Sequence, residues 1–448
     1  MDMNAFMDKL LSRAKESGME AAEAYCQQAE KFRARTMNGA LDDYQVSASR
    51  GLSLRGMING RMGYASTQAM DESAIDQLIE GVKESAALTE AQEQDEIFAG
   101  DKEYPAFEAP ASDLDRVSAE DKVAAALAIG EATKAADTRI TQVQFPSITT
   151  VSSTVMLRNT YGLNLSFSDR LWVASVGALA PKADGTMANS YYGECGRDFA
   201  KLDPKAIGAE AARRTTQSLD ATSVEAGEYR VIMDREAMAD LLATFCGVFS
   251  AENAQQGTSL LGGKEGQVIA SPAVTIMDDP LLPGGYGSCP FDAEGSASRT
   301  KAVIDQGVLQ TLLHSRKTAR KQGVSTTGNA ARVGYASPVT VAPTNLFFKP
   351  GNQDLAFLMA QMGDGLVITD VSGLHAGANP VSGDFSLLSK GYTVEGGKRG
   401  HAVEQITVAG NFYQMLKAVR AVGNDLYFPG SSVGSPSVDV GTLVVSGQ

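Results

Sequence analysis

The sequence predicts an α+β protein, with an N-terminal helix/antiparallel-sheet domain followed by a mainly β, barrel-like C-terminal domain. Three observations carry this. Apolar residues near the N-terminus recur at helical spacing, whereas from about Glu20 they alternate as strands do. Two Asn-Gly pairs, Asn38-Gly39 and Asn59-Gly60, punctuate the alternation, and Asn-Gly accepts the positive φ of tight hairpin turns. Glycine is also uneven: residues 1–250 hold 17 of the 45, and residues 251–448 hold the other 28. That density fits short strands joined by tight turns, as in a barrel or curled sheet.

The elements follow in order. Met3, Phe6, Met7, Leu10, Leu11 and Ala14 form the stripe of a first helix that Gly18 ends. Strands run from about Glu20 to Gln68. A second helix starts near Asp71, with Ile75, Leu78, Ile79 and Val82 on one face, and the acidic run 90–96 reads as a solvated connection. Ser118 can cap a third helix reaching about Ala136. Val151, Ser153, Val155 and Leu157, then Leu163, Leu165 and Phe167, alternate about a turn at Asn159–Gly162, which is another hairpin. A helix over Pro204–Ser218 closes this half. The polar stretch Leu219–Gly227 places a boundary that divides the chain into domains 1–224 and 225–448. Beyond it, strands are expected at Ala273–Met277, Leu366–Val371, Tyr392–Glu395, Ile406–Val408 and Leu443–Val445. One helix stands among them, capped by Asp234, with Met238, Leu241, Leu242, Phe245 and Phe249 as its buried stripe.

Composition excludes several functions. With 53 Asp plus Glu against 39 Lys plus Arg, the formal charge is −14, a poor match for nucleic acid. No stretch approaches the ~18 uninterrupted apolar residues of a membrane span. The first 18 residues carry charges through their apolar stripe, so they read as a helix and not a signal peptide. Cys26, Cys195, Cys246 and Cys289 lie far apart with no CxxC pair, which argues against a disulfide scaffold or a zinc knuckle. A cytoplasmic location is expected.

A search for catalytic chemistry returns negatives. None of His314, His375 and His401 has a second His or a Glu at the helical spacing that aims two imidazoles at one metal ion. His314 and His401 read as ordinary hydrogen-bonded histidines; His375, in a loop flanked by Gly373 and Gly377, is the better functional candidate. There is no G-x-S-x-G elbow. Pro283–Ser288 reads as a turn, without the Lys of a phosphate loop. Asp278-Asp279 and Asp292-Ala293-Glu294-Gly295 read as solvated acidic turns, with metal binding as the alternative. Cys246 reads as a packed core thiol. No self-sufficient active site emerges, so no catalytic residue and no metal ligand is assigned.

Five blocks nevertheless occur in a telling order: Gly257-Thr258-Ser259, Pro290-Phe291-Asp292-Ala293-Glu294-Gly295, Ser325-Thr326-Thr327-Gly328-Asn329, Ala409-Gly410-Asn411 and Val422-Gly423-Asn424-Asp425. Together they resemble the TldD/PmbA family, labelled modulators of DNA gyrase and regarded as metallopeptidase-related. The N-terminal helix and hairpins fit the same family, so the resemblance spans nearly the whole chain. In its TldD branch, a helix just before the Gly-Thr-Ser block carries a His-Glu-x-x-x-His zinc motif. There the imidazoles are ligands and the Glu is general base for the metal-bound water. Counted back from Gly257, the three functional positions of that motif fall on Leu242, Ala243 and Gly247. The TldD branch also takes a Cys ligand near its C-terminus, where this chain reads Phe428-Pro429-Gly430-Ser431-Ser432-Val433-Gly434-Ser435.

The resemblance therefore implies the PmbA branch, also called TldE, whose chains share the fold but not the metal site. It implies a TldD-type metallopeptidase subunit as partner, zinc in that partner and no cofactor in this chain. Unfolded or modified peptides would be cleaved in a shared cavity, with a strand edge of the second domain pairing with the substrate. It also implies a homodimer when the chain is isolated. Thr258 and Ser259 are the first candidates to face the cavity, followed by Asp292, Glu294, Asn329 and His375. Gly257, Gly295, Gly328 and Gly423 are expected to serve turns, and Asp292, Asn329, Asn411 and Asn424 to anchor loops. Two other functions stay open. One is a self-sufficient peptidase with displaced ligands, Asp292, Glu294 and His375; the other is a stand-alone protein-binding regulator using the acidic 90–103 segment.

Overall fold

The computed structural model describes residues 2–90, 96–108 and 110–447. The chain opens with α1 (Met3–Glu16), which buries the six stripe residues Met3 to Ala14 under an Asp2 cap. Strands β1 (Ala21–Met37), β2 (Ala40–Ile58) and β3 (Arg61–Thr67) then meander antiparallel. Their turns are the two Asn-Gly pairs, with φ of 50° and 75° at Asn38-Gly39 and 50° and 70° at Asn59-Gly60. Positive φ at both central residues matches the right-handed twist of the flanking strands. Next come α2 (Glu72–Leu88), capped by Asp71, and α3 (Ala119–Ala136), where Ser118 and Asp121 form a capping box. Strands β4 (Gln142–Asn159), β5 (Asn164–Pro181) and β6 (Met187–Gly196) and helix α4 (Pro204–Gln217) complete the half.

These strands form one sheet in the order β3-β2-β1-β4-β5-β6. Helices α1 and α2 cover Ala22, Ala24, Cys26, Leu52 and Leu54. Helices α3 and α4 cover Ile148 and every second residue of β5 from Trp172 to Ala180. That period of two is what a strand buried on one face requires.

The C-terminal half begins with β7 (Gly227–Met233), α5 (Arg235–Phe245), a 3₁₀ turn (Cys246–Phe249) and α6 (Ala251–Gln255). Short elements follow: β8 (Ile276–Asp278), β9 (Lys301–Asp305), β10 (Val308–Leu309), α7 (Arg316–Gln322), β11 (Ala330–Ala331), β12 (Thr340–Val341), β13 (Leu346–Phe348) and α8 (Leu355–Met362). The chain ends through β14 (Gly365–Ser372), α9 (Leu374–Gly377), β15 (Asp384–Glu395), β16 (Lys398–Asn411), α10 (Phe412–Ala418), β17 (Ala421–Val422), β18 (Val433–Gly434) and β19 (Val438–Ser446). Strands β16-β15-β14-β7-β19 pair in that order, and β19 pairs back to β16, so the sheet closes into a barrel. A second sheet, β10-β9-β8-β13-β18, lies beside it. Helix α5 fills the core the two share, its Phe245 stacked on Phe412 with ring centroids 4.7 Å apart.

The α+β reading holds, with local corrections. The strand expected at Ala273–Met277 is Ile276–Asp278, because Val274 is drawn into a turn through its N–H to Ser271. The helix expected to reach Phe249 leaves α geometry at Phe245. Strands β6 and β7 had no counterpart in the sequence reading. β7 is the barrel strand that pairs parallel with β14, and its alternation, GEYRVIM, is broken by a fully buried end. Of the connection expected over residues 90–96, positions 91–95 lie outside the described residues, whereas Glu96 is held by Arg316 and Arg320. Among the described residues no helix is long and apolar enough to cross a membrane.

Candidate functional site

The helix that would carry zinc in the TldD branch is α5 with its 3₁₀ extension. Leu242 is fully buried in the apolar core, with Ala243 packed against that core. At Gly247 the carbonyl accepts from Asn253 Nδ2 at 2.9 Å. The Phe428–Ser435 stretch is filled by an aromatic contact, Phe428 against Phe347 with centroids 5.7 Å apart. A zinc ion needs three or four N, S or O donors at about 2 Å. These positions offer hydrocarbon, an occupied carbonyl and serine hydroxyls, of which Ser431 and Ser435 are bonded to backbone carbonyls, so they do not fit the metal. Among the described residues no group of three His, Cys, Asp or Glu could hold an ion, and Asp292, Glu294 and His375 are not such a group.

Thr258 and Ser259 leave α6 in a turn. Thr258 is exposed and its hydroxyl donates to Asn253 O at 3.1 Å. Ser259 is buried and donates to Val248 O at 2.5 Å, so its hydroxyl is spent inside the fold. Beside this turn, Leu260, Lys264, Val268, Asn411, Tyr413 and Lys417 line a cleft of about 310 Å³. A larger cleft of about 460 Å³ lies in the other half, between α3 and the β1–β2 turn.

The expectation that the acidic turns are solvated is wrong. Asp278, Asp292 and Glu294 are all buried. Asp292 Oδ1 accepts from the N–H groups of Glu294 and Ser296, each at 2.9 Å, and Oδ2 accepts from Ala330 N–H at 3.1 Å. Burial, with Glu294 close by, pushes its carboxyl up to about 7. Asp278 holds Lys301 Nζ at 2.9 Å and Asn329 Nδ2 at 2.7 Å, so Asn329 is a buried loop anchor. These acids are dry because donors replace water: Lys301, Asn329 and Thr344 at Asp278, backbone N–H groups at Asp292, and Arg316 N–H with Arg55 of the N-terminal sheet at Glu294.

Glu294 faces that sheet. Its Oε1 lies 3.7 Å from Arg55 Nη1 and its Oε2 accepts from Arg316 N–H at 2.8 Å. Arg55 forks onto Glu23, with Nε–Oε1 of 2.7 Å and Nη2–Oε2 of 3.0 Å. Arg332 reaches the same Glu23 Oε1 at 3.3 Å and Ser53 Oγ at 3.0 Å. Burial works against the Arg55 charge, but Glu23 overrides it and raises its pKa; burial likewise lowers that of Arg332, with Glu23 opposing. The 290–332 blocks thus clamp the C-terminal half onto β1 and β2. Glu23, Arg55 and Arg332 were missed by the sequence reading. The available signal was a lone charge inside an otherwise buried strand run, Ala21–Cys26 for Glu23 and Leu52–Arg55 for Arg55.

The remaining candidates are separate from this network. His375 is exposed on one-turn helix α9 rather than in an irregular loop. His314 is buried with Nδ1 3.2 Å from Thr318 Oγ1, and burial lowers its pKa. His401 Nδ1 lies 3.1 Å from Thr393 Oγ1. Arg197 donates to the carbonyls of Gly284 and Gly285, which makes Pro283–Ser288 a turn and a clamp. Cys246 packs against the core, and burial raises its pKa. The described part of the acidic 90–103 segment is engaged internally: Asp101 accepts from Ala297 N–H at 2.7 Å, and Glu96 holds two arginines.

Asp240, on the exposed side of α5, offers a pH test. Partial burial, then Asp370 and Glu236, raises its carboxyl from 3.8 to about 6. A raised acid contributes stability below its unfolded pKa and loses it as pH climbs through the folded value. Asp240→Asn should therefore match the parent near pH 4 and exceed it at pH 8, by under about 1 kcal/mol given solvent screening. Thermal melts at the two pH values check this; an equal offset at both would contradict it.

Comparison with known proteins identifies the family. Residues 22–86 match the PmbA/TldA metallopeptidase domain 1, residues 112–219 its central domain and residues 226–447 its C-terminal domain. The chain is 27% identical over 455 residues to the metalloprotease PmbA of Escherichia coli O157:H7, covering 98% of this chain and 97% of that one. A crystal structure from Thermotoga maritima, described as a candidate modulator of a DNA gyrase, superposes with TM-score 0.92. It is 33% identical and is covered in full, as is 99% of this chain. TldE from Thermococcus kodakarensis shares the fold, with TM-score 0.87 at 19% identity over 99% of this chain and all of that one. With the family's three domain models matched in order and a near-full-length relative at 33% identity, the chain belongs to the PmbA/TldD family of metallopeptidase-related proteins.

Proposed function

We propose that this chain is the non-catalytic, PmbA/TldE-like subunit of a TldD/TldE-type zinc metallopeptidase that degrades or processes unfolded or modified peptides. One observation carries the reading: Leu242, Ala243 and Gly247 stand where the catalytic branch has its zinc motif, and Leu242 is sealed in the core. A chain in this position scaffolds; its TldD-type partner brings the zinc, the water and the base. Residues 1–224 and 225–448 act as its two domains, in the cytoplasm, and the isolated chain is a homodimer. Thr258, exposed two residues before Leu260 of the 310 Å³ cleft, is the candidate that faces substrate in the shared cavity. Because the barrel closes through β16 and β19, that sheet offers a peptide little free edge, and side chains at the cleft take over the role first given to a strand edge.

The test is zinc content of the purified chain, together with cleavage of an unfolded peptide with and without a TldD-type partner. No stoichiometric zinc, and cleavage only in the mixture, is expected. Zinc at one per chain with cleavage by this protein alone would overturn the reading. The charge of −14 carries a separate expectation of no salt-dependent retention on duplex DNA, which a column experiment checks.

A further inference from the structure

We propose that the 310 Å³ cleft next to the Thr258 turn holds the C-terminal residue of a peptide, its carboxylate met by Lys264 and Lys417 and its apolar side chain by Leu260 and Val268. The inference rests on the reading that this cleft meets a peptide substrate, and adds which end of the peptide it takes.

The cleft is charged against the sign of the protein. The chain carries −14, yet among the described residues two lysines and no carboxylate line the cleft. Lys264 is half-buried, and among the described residues its ammonium meets neither a carboxylate nor a hydrogen-bond acceptor. The half-buried Lys182 and Lys301, by contrast, hold Glu404 and Asp278. A lysine is rarely withdrawn from water without a partner. Glu265, next in the chain, is engaged elsewhere: Gln322 Nε2 donates to its Oε1 at 2.7 Å. Lys417 is exposed at the end of α10 and is likewise unpaired among the described residues.

Both walls are fixed by the backbone behind them. Gly266 N–H donates to Leu309 O at 2.7 Å and Leu309 N–H to Gln267 O at 3.0 Å, which pins the 260–269 loop to β10. Ser271 N–H donates to Leu416 O at 2.9 Å and Leu260 N–H to Tyr413 Oη at 3.3 Å, which ties the same stretch to α10. Asn411 caps α10 by accepting from Gln414 N–H at 3.2 Å. A site fixed before its ligand arrives loses little entropy on binding. On this frame Leu260 is 49% exposed and Val268 71%, two aliphatic side chains left in water at one cleft. Gln414, three residues before Lys417 and so on the same face of α10, adds an amide.

A chain end fits this space better than a passing segment. Ligand cavities run from roughly 300 to 1,000 Å³, so about 310 Å³ takes about one or two residues and not an extended stretch. Of the two ends of a peptide, the N-terminal ammonium is repelled by both lysines. The C-terminal carboxylate is acceptor-only, with one oxygen available to each ammonium. Leu260 and Val268 then take the last side chain out of water, which favours an aliphatic residue over Gly or a charged one.

The test is isothermal titration of the full chain, at low salt, with acetyl-Gly-Ser-Gly-Leu as the free acid and as the C-terminal amide. The free acid is expected to bind. Its dissociation constant should rise at least about tenfold in Lys264→Gln or Lys417→Gln, and the amide should bind the parent at least about tenfold more weakly, since each change removes a charge-assisted hydrogen bond. Melting should stay unchanged in both variants, because among the described residues neither ammonium has a partner to lose. No binding of the free acid, equal binding of acid and amide, or undiminished binding by the Lys264→Gln/Lys417→Gln double variant each overturns the subsite. Binding needs neither zinc nor a second subunit, so the two readings fail separately. Cleavage in the mixture with no binding here overturns the subsite alone. Carboxylate-dependent binding here with no cleavage in the mixture supports the subsite and overturns the subunit reading.

Discussion

Glu23→Ala is expected to cost about 3–5 kcal/mol, the largest loss from any single polar side chain, because it strands two buried guanidinium groups. Glu23 is fully buried and, among the described residues, is the only carboxylate that bonds both Arg55 and Arg332. Glu294 stays 3.7 Å from Arg55, and its other oxygen is committed to Arg316. Urea denaturation of the variant should show the loss, together with earlier proteolysis between the halves. Replacing the trio by apolar residues, Glu23→Met with Arg55→Leu and Arg332→Met, should recover only part of it, because buried Glu294 then loses Arg55 and keeps only the Arg316 N–H. A loss below about 1 kcal/mol in Glu23→Ala would mean that water reaches the site.

Gly295→Val is expected to destabilise by about 3 kcal/mol or more, by two additive routes. Gly295 has φ of +82°, a conformation that costs a β-branched residue about 1–3 kcal/mol. A Cβ there would lie 2.7 Å from Leu163 Cδ2 and 3.1 Å from Leu157 Cδ2, side chains of the N-terminal sheet. Overpacking at such a contact costs typically 1–3 kcal/mol. The same residue's carbonyl accepts from Tyr104 Oη at 2.7 Å, so displacement also loosens the segment leading out of α2. Gly295→Ala, which keeps the strain and the Cβ contacts but not the branching, should lose less than Gly295→Val. A Val variant that melts like the parent would refute this account.

Much of the fold was legible because local chemistry decides it. Asn38-Gly39 and Asn59-Gly60 turn a hairpin wherever they fall between strands, and Asp71, Ser118 and Asp234 cap whatever helix follows. The stripes of α1, α2 and α5 predicted their own burial. The short strands β10 to β13 were illegible for the opposite reason. Two or three residues carry no period, and their state is set by partners such as Asp278 opposite Leu346. For the site, the absence of a zinc motif was plain at Leu242, Ala243 and Gly247. That Asp292 and Glu294 are structural was not.

The sequence by itself determined most of the order of helices and hairpins, the α+β class and the absence of a His-Glu-x-x-x-His motif. Each of these is a property of residues within a few positions of one another. Only the tertiary structure decided that the acidic turns are dry, that Glu23 and Arg55 meet Arg332 from about 280 to 310 residues away, and that Lys264 and Lys417 line one cleft. A carboxylate is solvated or buried according to what folds over it, and the chain placed over Asp292 and Glu294 is distant in sequence. Desolvation and strand pairing are long-range facts, and no local pattern carries them.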